Sequence, residues 1–307
     1  MSIRITSARV LPASSTAARP VVASPTTSRS GGVRDYTYPL DQRAATLWYH
    51  DHRMGFTGPQ VWRGLAGFLV VTDDEEDALP LPRAARDIPL VITDRAFDGD
   101  GALRYPAMDP QLTSMPGIEA EHMAGAAGDV ILVNCAPWPE LEVDAARYRF
   151  RILNASNARR YELALDPVPR SGASFVQIGS DQGLPAAPLR HTTLPVAPAE
   201  RFDVVVDFSR FPVGTRVTLT NRAGRGGTGQ IMRFVVARKA ADHSRIPAKL
   251  STVDPLPTTS KTTRRPWPKQ YADVAIRFDD YAGRYLLHCH NLEHEDMAMM
   301  ATFRTGR

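Results

Sequence analysis

Five of the eight histidines fall in two clusters: His50 and His52 form H-x-H within TLWYHDH, and His288, His290 and His294 form H-C-H-x-x-x-H around Cys289. Side chains alternate faces along a strand, so His50 and His52 are expected to point the same way, about 6.5 to 7 Å apart, and His288 and His290 likewise. Two such strands facing each other would place a metal ion between each opposed pair of imidazoles, which is a binuclear site. Cys289 lies between two of these histidines and is expected to point to the opposite face, toward a different ion. With His294 and Met299 further along, it supplies a thiolate, an imidazole and a thioether, the donor set of a mononuclear blue-copper site with a weak axial Met. Either cluster alone also suits zinc. The methionine together with the second H-x-H favours copper. His122, His191 and His243 have no partner nearby in the sequence and are read as ordinary histidines. Cys135 is read as a half-buried turn thiol without a role, and Met297 and Met300 as packing residues.

The elements that must position these groups read as strands. TLWYHDH and GLAGFLVVT make a strand-rich stretch over 35–77, closed by the acidic run Asp73–Asp77. After a Pro-rich link, 88–237 carries PLVITD, DVILVN, RYRFRILNA, SFVQIGS, RFDVVVDFS and TRVTLTN, separated by Gly, Pro, Asn and Asp at the spacing of a sandwich or barrel. Residues 238–270 are polar and Pro-rich, a linker composition with little means of packing, and 271–307 return to strand. Residues 1–34 hold five arginines, three prolines and no acidic residue, and are read as a flexible tail. They contain no apolar run that would serve as a signal peptide. With 25 prolines against 21 glycines, strands and loops are favoured over long helices. The net charge of +4 is spread along the chain instead of forming blocks, so no nucleic-acid partner is expected. No apolar stretch approaches the length of about 20 residues that a membrane span needs.

The text ATLWYHDHRMGFTGPQVWRGLAGFLVVTD resembles the second copper motif of multicopper oxidases, in the branch of bacterial spore-coat laccases and bilirubin oxidases, and GRYLLHCHNLEHEDMAMM resembles the fourth. LVNCAPWPELEVDAARYRFRILNASNARRYEL and LPVAPAERFDVVVDFS are similar to the branch's copper-free middle domain, which usually reads Asn-Gly where this chain has Asn134-Cys135. The resemblance implies an all-β fold of cupredoxin-like Greek-key β-sandwich domains, one complete (88–237) and two partial (35–77 and 271–307). It implies copper, with Cys289, His294 and Met299 at the type 1 site, and His50 with His290 and His52 with His288 at the type 3 pair. It gives Glu295 the place of an acid that supplies protons during oxygen reduction. It further implies one-electron oxidation of small phenolic or tetrapyrrole substrates with reduction of O2 to water, and family members are often extracytoplasmic or in the spore coat. The family's H-x-H-G and H-P-x-H-x-H motifs are absent, which leaves type 2 copper without its histidines. Turnover by this chain is therefore expected to be impaired. The alternatives are a non-catalytic copper-binding cupredoxin module and a structural remnant.

Overall fold

The computed structural model describes residues 40, 42–53, 55–111, 117–253 and 283–305. The 1–34 tail and the stretch from 254 to 282, with most of the expected linker, lie outside the described residues. Two compact units emerge, one of residues 44–251 and 288–301, the other of 1–43, 252–287 and 302–307. Every histidine, cysteine and carboxylate discussed below as a candidate ligand belongs to the first. Among the described residues, no helix is long and apolar enough to cross a membrane.

The centre of the first unit is a two-sheet sandwich. One sheet runs in the order Leu189–His191, Phe175–Gly179, Arg201–Asp207, Arg147–Asn154, Asp87–Phe97, Val130–Val133, Ala136–Pro137, with Leu103–Arg104 added on Asp87–Phe97. The other runs Thr193–Val196, Tyr161–Asp166, Arg216–Asn221, Gln230–Lys239, Glu140–Ala145. Neighbours are antiparallel except Asp87–Phe97 with Arg147–Asn154 and Gln230–Lys239 with Glu140–Ala145. Between the sheets lies a core that includes Phe150, Phe208, Phe234, Ile152, Leu163 and Val204.

The strand Arg147–Asn154 shows why the sequence folds this way. Its alternation sends Tyr148, Phe150 and Ile152 into the core and Arg149 and Arg151 to the other face. That face is covered, so the arginines are buried and must be paired. Arg149 donates to both oxygens of Asp203 and to Glu76 Oε1 at 2.7 Å, while Arg151 donates to Asp87, to Glu76 Oε1 at 3.1 Å and to Thr46 Oγ1 at 2.9 Å. Burial disfavours the Arg149 cation, but Asp203 and Glu76 more than offset this and hold it above its ordinary pKa.

Of those partners, Thr46 and Glu76 belong to the stretch that carries the first histidine pair. Ala45–His50 pairs antiparallel with Ala66–Val71, register His50 to Ala66. Asp73 then caps the short helix Asp74–Asp77 by accepting from Glu76 N at 2.7 Å, and its other oxygen accepts from Ala44 N at 2.7 Å. Glu76 is thereby turned inward to the arginines. Gly283–His288 and Met300–Thr305 form a separate two-stranded sheet in which Tyr285 and Phe303 stack.

The polar stretch expected to have little means of packing is anchored as far as it is described. Leu250 is 2% exposed in a cluster with Leu81, Ile178, Leu184 and Val205, and Asp242 accepts from the backbone and side chain of Arg147. A few well-placed side chains hold a segment that its average composition marked as linker. Cys135 is exposed rather than half-buried.

Candidate metal centre

Each histidine pair straddles a strand end. His50 and His288 are the last residues of their strands, whereas His52 and His290 lie beyond them in irregular backbone. The expectation that both members sit on a strand is corrected, and the ring spacings are shorter than a strand would give: 5.8 Å for His50 to His52 and 5.5 Å for His288 to His290. The pairs nonetheless face each other. His50 lies edge-on to His290 and His52 edge-on to His288, both at 5.1 Å between ring centroids. Trp48 packs beside them, 4.5 Å from His50 and 5.3 Å from His290.

Their proton positions follow from backbone acceptors. A carbonyl can only accept, so His50 Nδ1 donates to Asp51 O at 2.8 Å and His288 Nδ1 to Cys289 O at 3.1 Å. Each Nε2 is then free to offer its lone pair. His288 Nε2 stands 3.5 Å from His52 Nε2. Burial pushes His290 down to about 4, assisted by His50, and burial lowers His50 as well, so both rings are neutral at neutral pH. The Glu295 carboxylate raises His288.

Glu295 is fully buried, with Oε1 3.1 Å from His52 Nε2 and Oε2 3.1 Å from His288 Nδ1. Burial raises the pKa of this carboxyl, but His288 and His52 more than offset that and hold it below its ordinary value. Neither oxygen finds a hydrogen-bond donor in good geometry, and His290 Nδ1 is likewise buried without a partner. Buried polar atoms left this way are uncommon and call for an occupant. Neutral imidazoles, free lone pairs and an unsatisfied carboxylate fit a transition-metal ion. On the other side of the backbone, Cys289 Sγ lies 3.7 Å from His294 Nδ1 and accepts from Asn291 N at 3.5 Å. That sulfur–nitrogen separation suits two donors each about 2.0 to 2.3 Å from a shared ion. Met299 joins the loop through its backbone, donating to His294 O at 3.0 Å and accepting from Cys289 N at 3.4 Å, with its side chain 54% exposed.

Two short helices set this geometry. Thr57–Trp62 follows the first pair, and Leu292–Asp296 carries His294 and Glu295. Asp296 accepts from Thr57 N at 2.9 Å and Gly58 N at 2.8 Å, a carboxylate at a helix start. Asn157, fully buried, donates through its side chain to Gly58 O at 3.0 Å and Glu293 Oε1 at 2.7 Å, and its backbone carbonyl accepts from Leu292 N at 3.1 Å. Tyr105 donates to Glu293 Oε1 at 3.0 Å. Burial raises Glu293, and burial with the neighbouring carboxylates pushes Asp296 up to about 6. The helices approach so closely that a Cβ on Gly58 would sit 3.0 Å from Asp296 Oδ2 and 3.2 Å from Glu293 Oε1, and it would also meet Tyr105 Oη at 2.6 Å.

The structure thus brings His50, His52, His288, His290 and Glu295 together, with Cys289 and His294 paired alongside. Sequence reasoning missed Asn157, Tyr105, Glu293 and Asp296 as positioning groups. Asn157 lies in the text likened to the middle domain, and Glu293 and Asp296 in the text likened to the fourth copper motif, but neither text marked them as positioning groups. Among the other histidines, His191 bonds Gln177 at 2.9 Å, and His122 has partners after all, 3.9 Å from Glu119 and 3.7 Å from Glu121 at the surface.

Residues 21–76 and 232–307 each match a protein family described as multicopper oxidase. A laccase of Bacillus stratosphericus is 46% identical over 212 residues, which cover 66% of this chain and 40% of that protein. The bilirubin oxidase of Albifimbria verrucaria is 38% identical over 251 residues, 75% of this chain and 41% of its own length. The chain therefore spans about two fifths of the curated relatives it matches. Among solved structures, the McoA multicopper oxidase of the hyperthermophile Aquifex aeolicus aligns with a TM-score of 0.70 at 29% identity, covering 86% of this chain and 76% of that one.

Proposed function

Because this chain belongs to the multicopper oxidase family and is built of its cupredoxin-like β structure, we propose that it is a copper-binding oxidoreductase of the laccase and bilirubin oxidase type, acting on small phenolic or pigment substrates with O2 as acceptor. The observation that carries this reading is the facing of His50 to His290 and His52 to His288, both at 5.1 Å, beside the Cys289–His294 pair at 3.7 Å.

In this reading Cys289, His294 and Met299 hold the ion that meets the substrate, and the four facing histidines hold the ions that meet oxygen. Copper bound there supplies one-electron transfer. The chain's own residues do the rest. The Asp51 and Cys289 carbonyls fix the ligand tautomers of His50 and His288. Burial of His50 and His290 keeps their rings unprotonated. Glu295, 3.1 Å from His52 Nε2 and from His288 Nδ1, is placed to pass protons at the cluster. Cys289 and its neighbours His288 and His290 are consecutive along the backbone, a short covalent path between the two centres.

Copper loading of the purified chain, followed by visible and EPR spectroscopy with metal quantified per chain, tests the proposal. The expected outcome is an intense blue band that Cys289→Ser removes, with further copper lost in His50→Ala. O2-dependent turnover is expected to be weak, because two of the family's four motifs, including the type 2 histidines, are absent from this sequence. A copper-loaded chain without the blue band would reduce the site to a structural remnant. A blue band with a single copper would support the non-catalytic cupredoxin module.

A further inference from the structure

The donors nearest to one another in the cluster are not histidines alone. His52, His288 and Glu295 each offer a ligand atom, and the three atoms lie within 4.8 Å of one another. His52 Nε2 is 3.1 Å from Glu295 Oε1 and 3.5 Å from His288 Nε2. Four donors about 2.0 to 2.1 Å from a tetrahedral ion stand about 3.3 to 3.4 Å apart, so the separations of His52 from Glu295 and from His288 suit ligands of a single ion. Glu295, whose side chain is 0% exposed, has Oε1 3.1 Å from His52 Nε2 and Oε2 3.1 Å from His288 Nδ1, neither aligned as a good hydrogen bond. The His288 tautomer is set for the same purpose: its Nδ1 proton is spent on the Cys289 carbonyl and Nε2 faces the gap.

We infer that Glu295 is a direct ligand, completing with His52 and His288 a mononuclear two-histidine, one-carboxylate site for a first-row divalent cation. Such a donor set, with open positions left for water or a small substrate, is how proteins hold catalytic zinc and non-haem iron. Glu295 thus supplies one of the donors that this chain lacks where the family has further histidines. The inference shares with the oxidase reading the ligand role of His52 and His288, and differs from it in binding Glu295 to the ion where that reading has Glu295 pass protons. It requires nothing of Cys289, His294 or Met299. The other group of three candidate ligands among the described residues, Glu119, Glu121 and His122, is solvent-accessible, whereas Glu295 is fully buried.

The test is titration of the metal-stripped full chain with Co(II), read by its visible d–d bands and by calorimetry. One equivalent is expected to bind with the band intensity of a four- or five-coordinate ion. Glu295→Gln is expected to weaken that binding about 100-fold or more, as loss of a ligand exceeds the 10- to 100-fold cost of losing a supporting group. Glu119→Gln is expected to leave it within about twofold, which marks the surface group as a bystander. Circular dichroism of Glu295→Gln establishes that its fold is retained. Paramagnetically shifted imidazole resonances of the wild-type chain supply a reading without any variant, with two ligand histidines expected. Co(II) affinity unchanged in Glu295→Gln, or four shifted imidazoles in place of two, would overturn the inference. A blue copper band at Cys289 combined with either result would sink this inference alone and leave the oxidase reading standing.

Discussion

Cys135 is the second residue of a two-residue hairpin loop, between Val133 and Ala136, which pair across the sheet. Asn134 has φ 50° and Cys135 φ 68°, both in the left-handed region where the hairpin's twist demands it. Asparagine tolerates that region, and here its side chain also bonds Val91 N and Pro89 O. Cysteine gains nothing from it. Replacing Cys135 with Gly should stabilise the protein by about 0.5 to 1 kcal/mol, read as a raised urea midpoint at unchanged slope. The relatives' Asn-Gly text already pointed to this turn, so the turn was legible and only its exposure was not. The candidate ligands were legible for a similar reason. H-x-H spacing and the order Cys289, His294, Met299 are local, and local spacing survives whatever the chain does at long range.

At the scale of elements, the contacts that fix the two short helices join residues remote in sequence. Asp296 bonds Thr57, 239 residues away, and Asn157 bonds Glu293, 136 away. No periodicity encodes such pairs, so the strands of the sandwich could be read from their alternation while the clamps that orient the histidines could not. Asn157→Ala removes the donors to Gly58 O and Glu293 Oε1 and leaves both acceptors buried, which should cost about 2 to 5 kcal/mol and loosen copper binding together with the fold. Gly58→Ala drives a methyl against Tyr105 and Asp296 and should cost about 1 to 3 kcal/mol. Thermal unfolding of the metal-free variants measures both losses. A Gly58→Ala protein as stable as wild type would mean that the helices are free to part. The polar stretch after the sandwich teaches the opposite lesson from the strands. Its composition reads as linker, yet Leu250 sits fully inside a satellite cluster, because one leucine in the right place outweighs the average of its neighbours.

At the scale of the whole molecule, the histidine-bearing stretch 45–77 is fastened to the sandwich by charge. Glu76 is 2% exposed, and although burial raises its pKa, Arg149 and Arg151 more than offset this and hold it below its ordinary value of 4.5. A carboxylate depressed in this way contributes stability that is full above its unfolded pKa and is lost as pH falls through the folded one. Unfolding free energy should therefore decline as pH falls below the ordinary carboxyl value of 4.5. Glu76→Gln should flatten that decline and, by removing a charge shared by two buried arginines that keep Asp203 and Asp87, lower stability at neutral pH by about 1.5 to 3 kcal/mol. Urea titrations of both proteins across the window measure the difference in slope. The packing of Trp48 against His50 and His290, at 4.5 and 5.3 Å, has a consequence of another kind. An indole excited by ultraviolet light loses its energy to a paramagnetic ion held at that range. Cupric ions entering the histidine cluster should extinguish the emission of Trp48 in step with occupancy, and Trp48→Phe should abolish that share of the quenching, so the molecule carries its own optical gauge of how full its centre is.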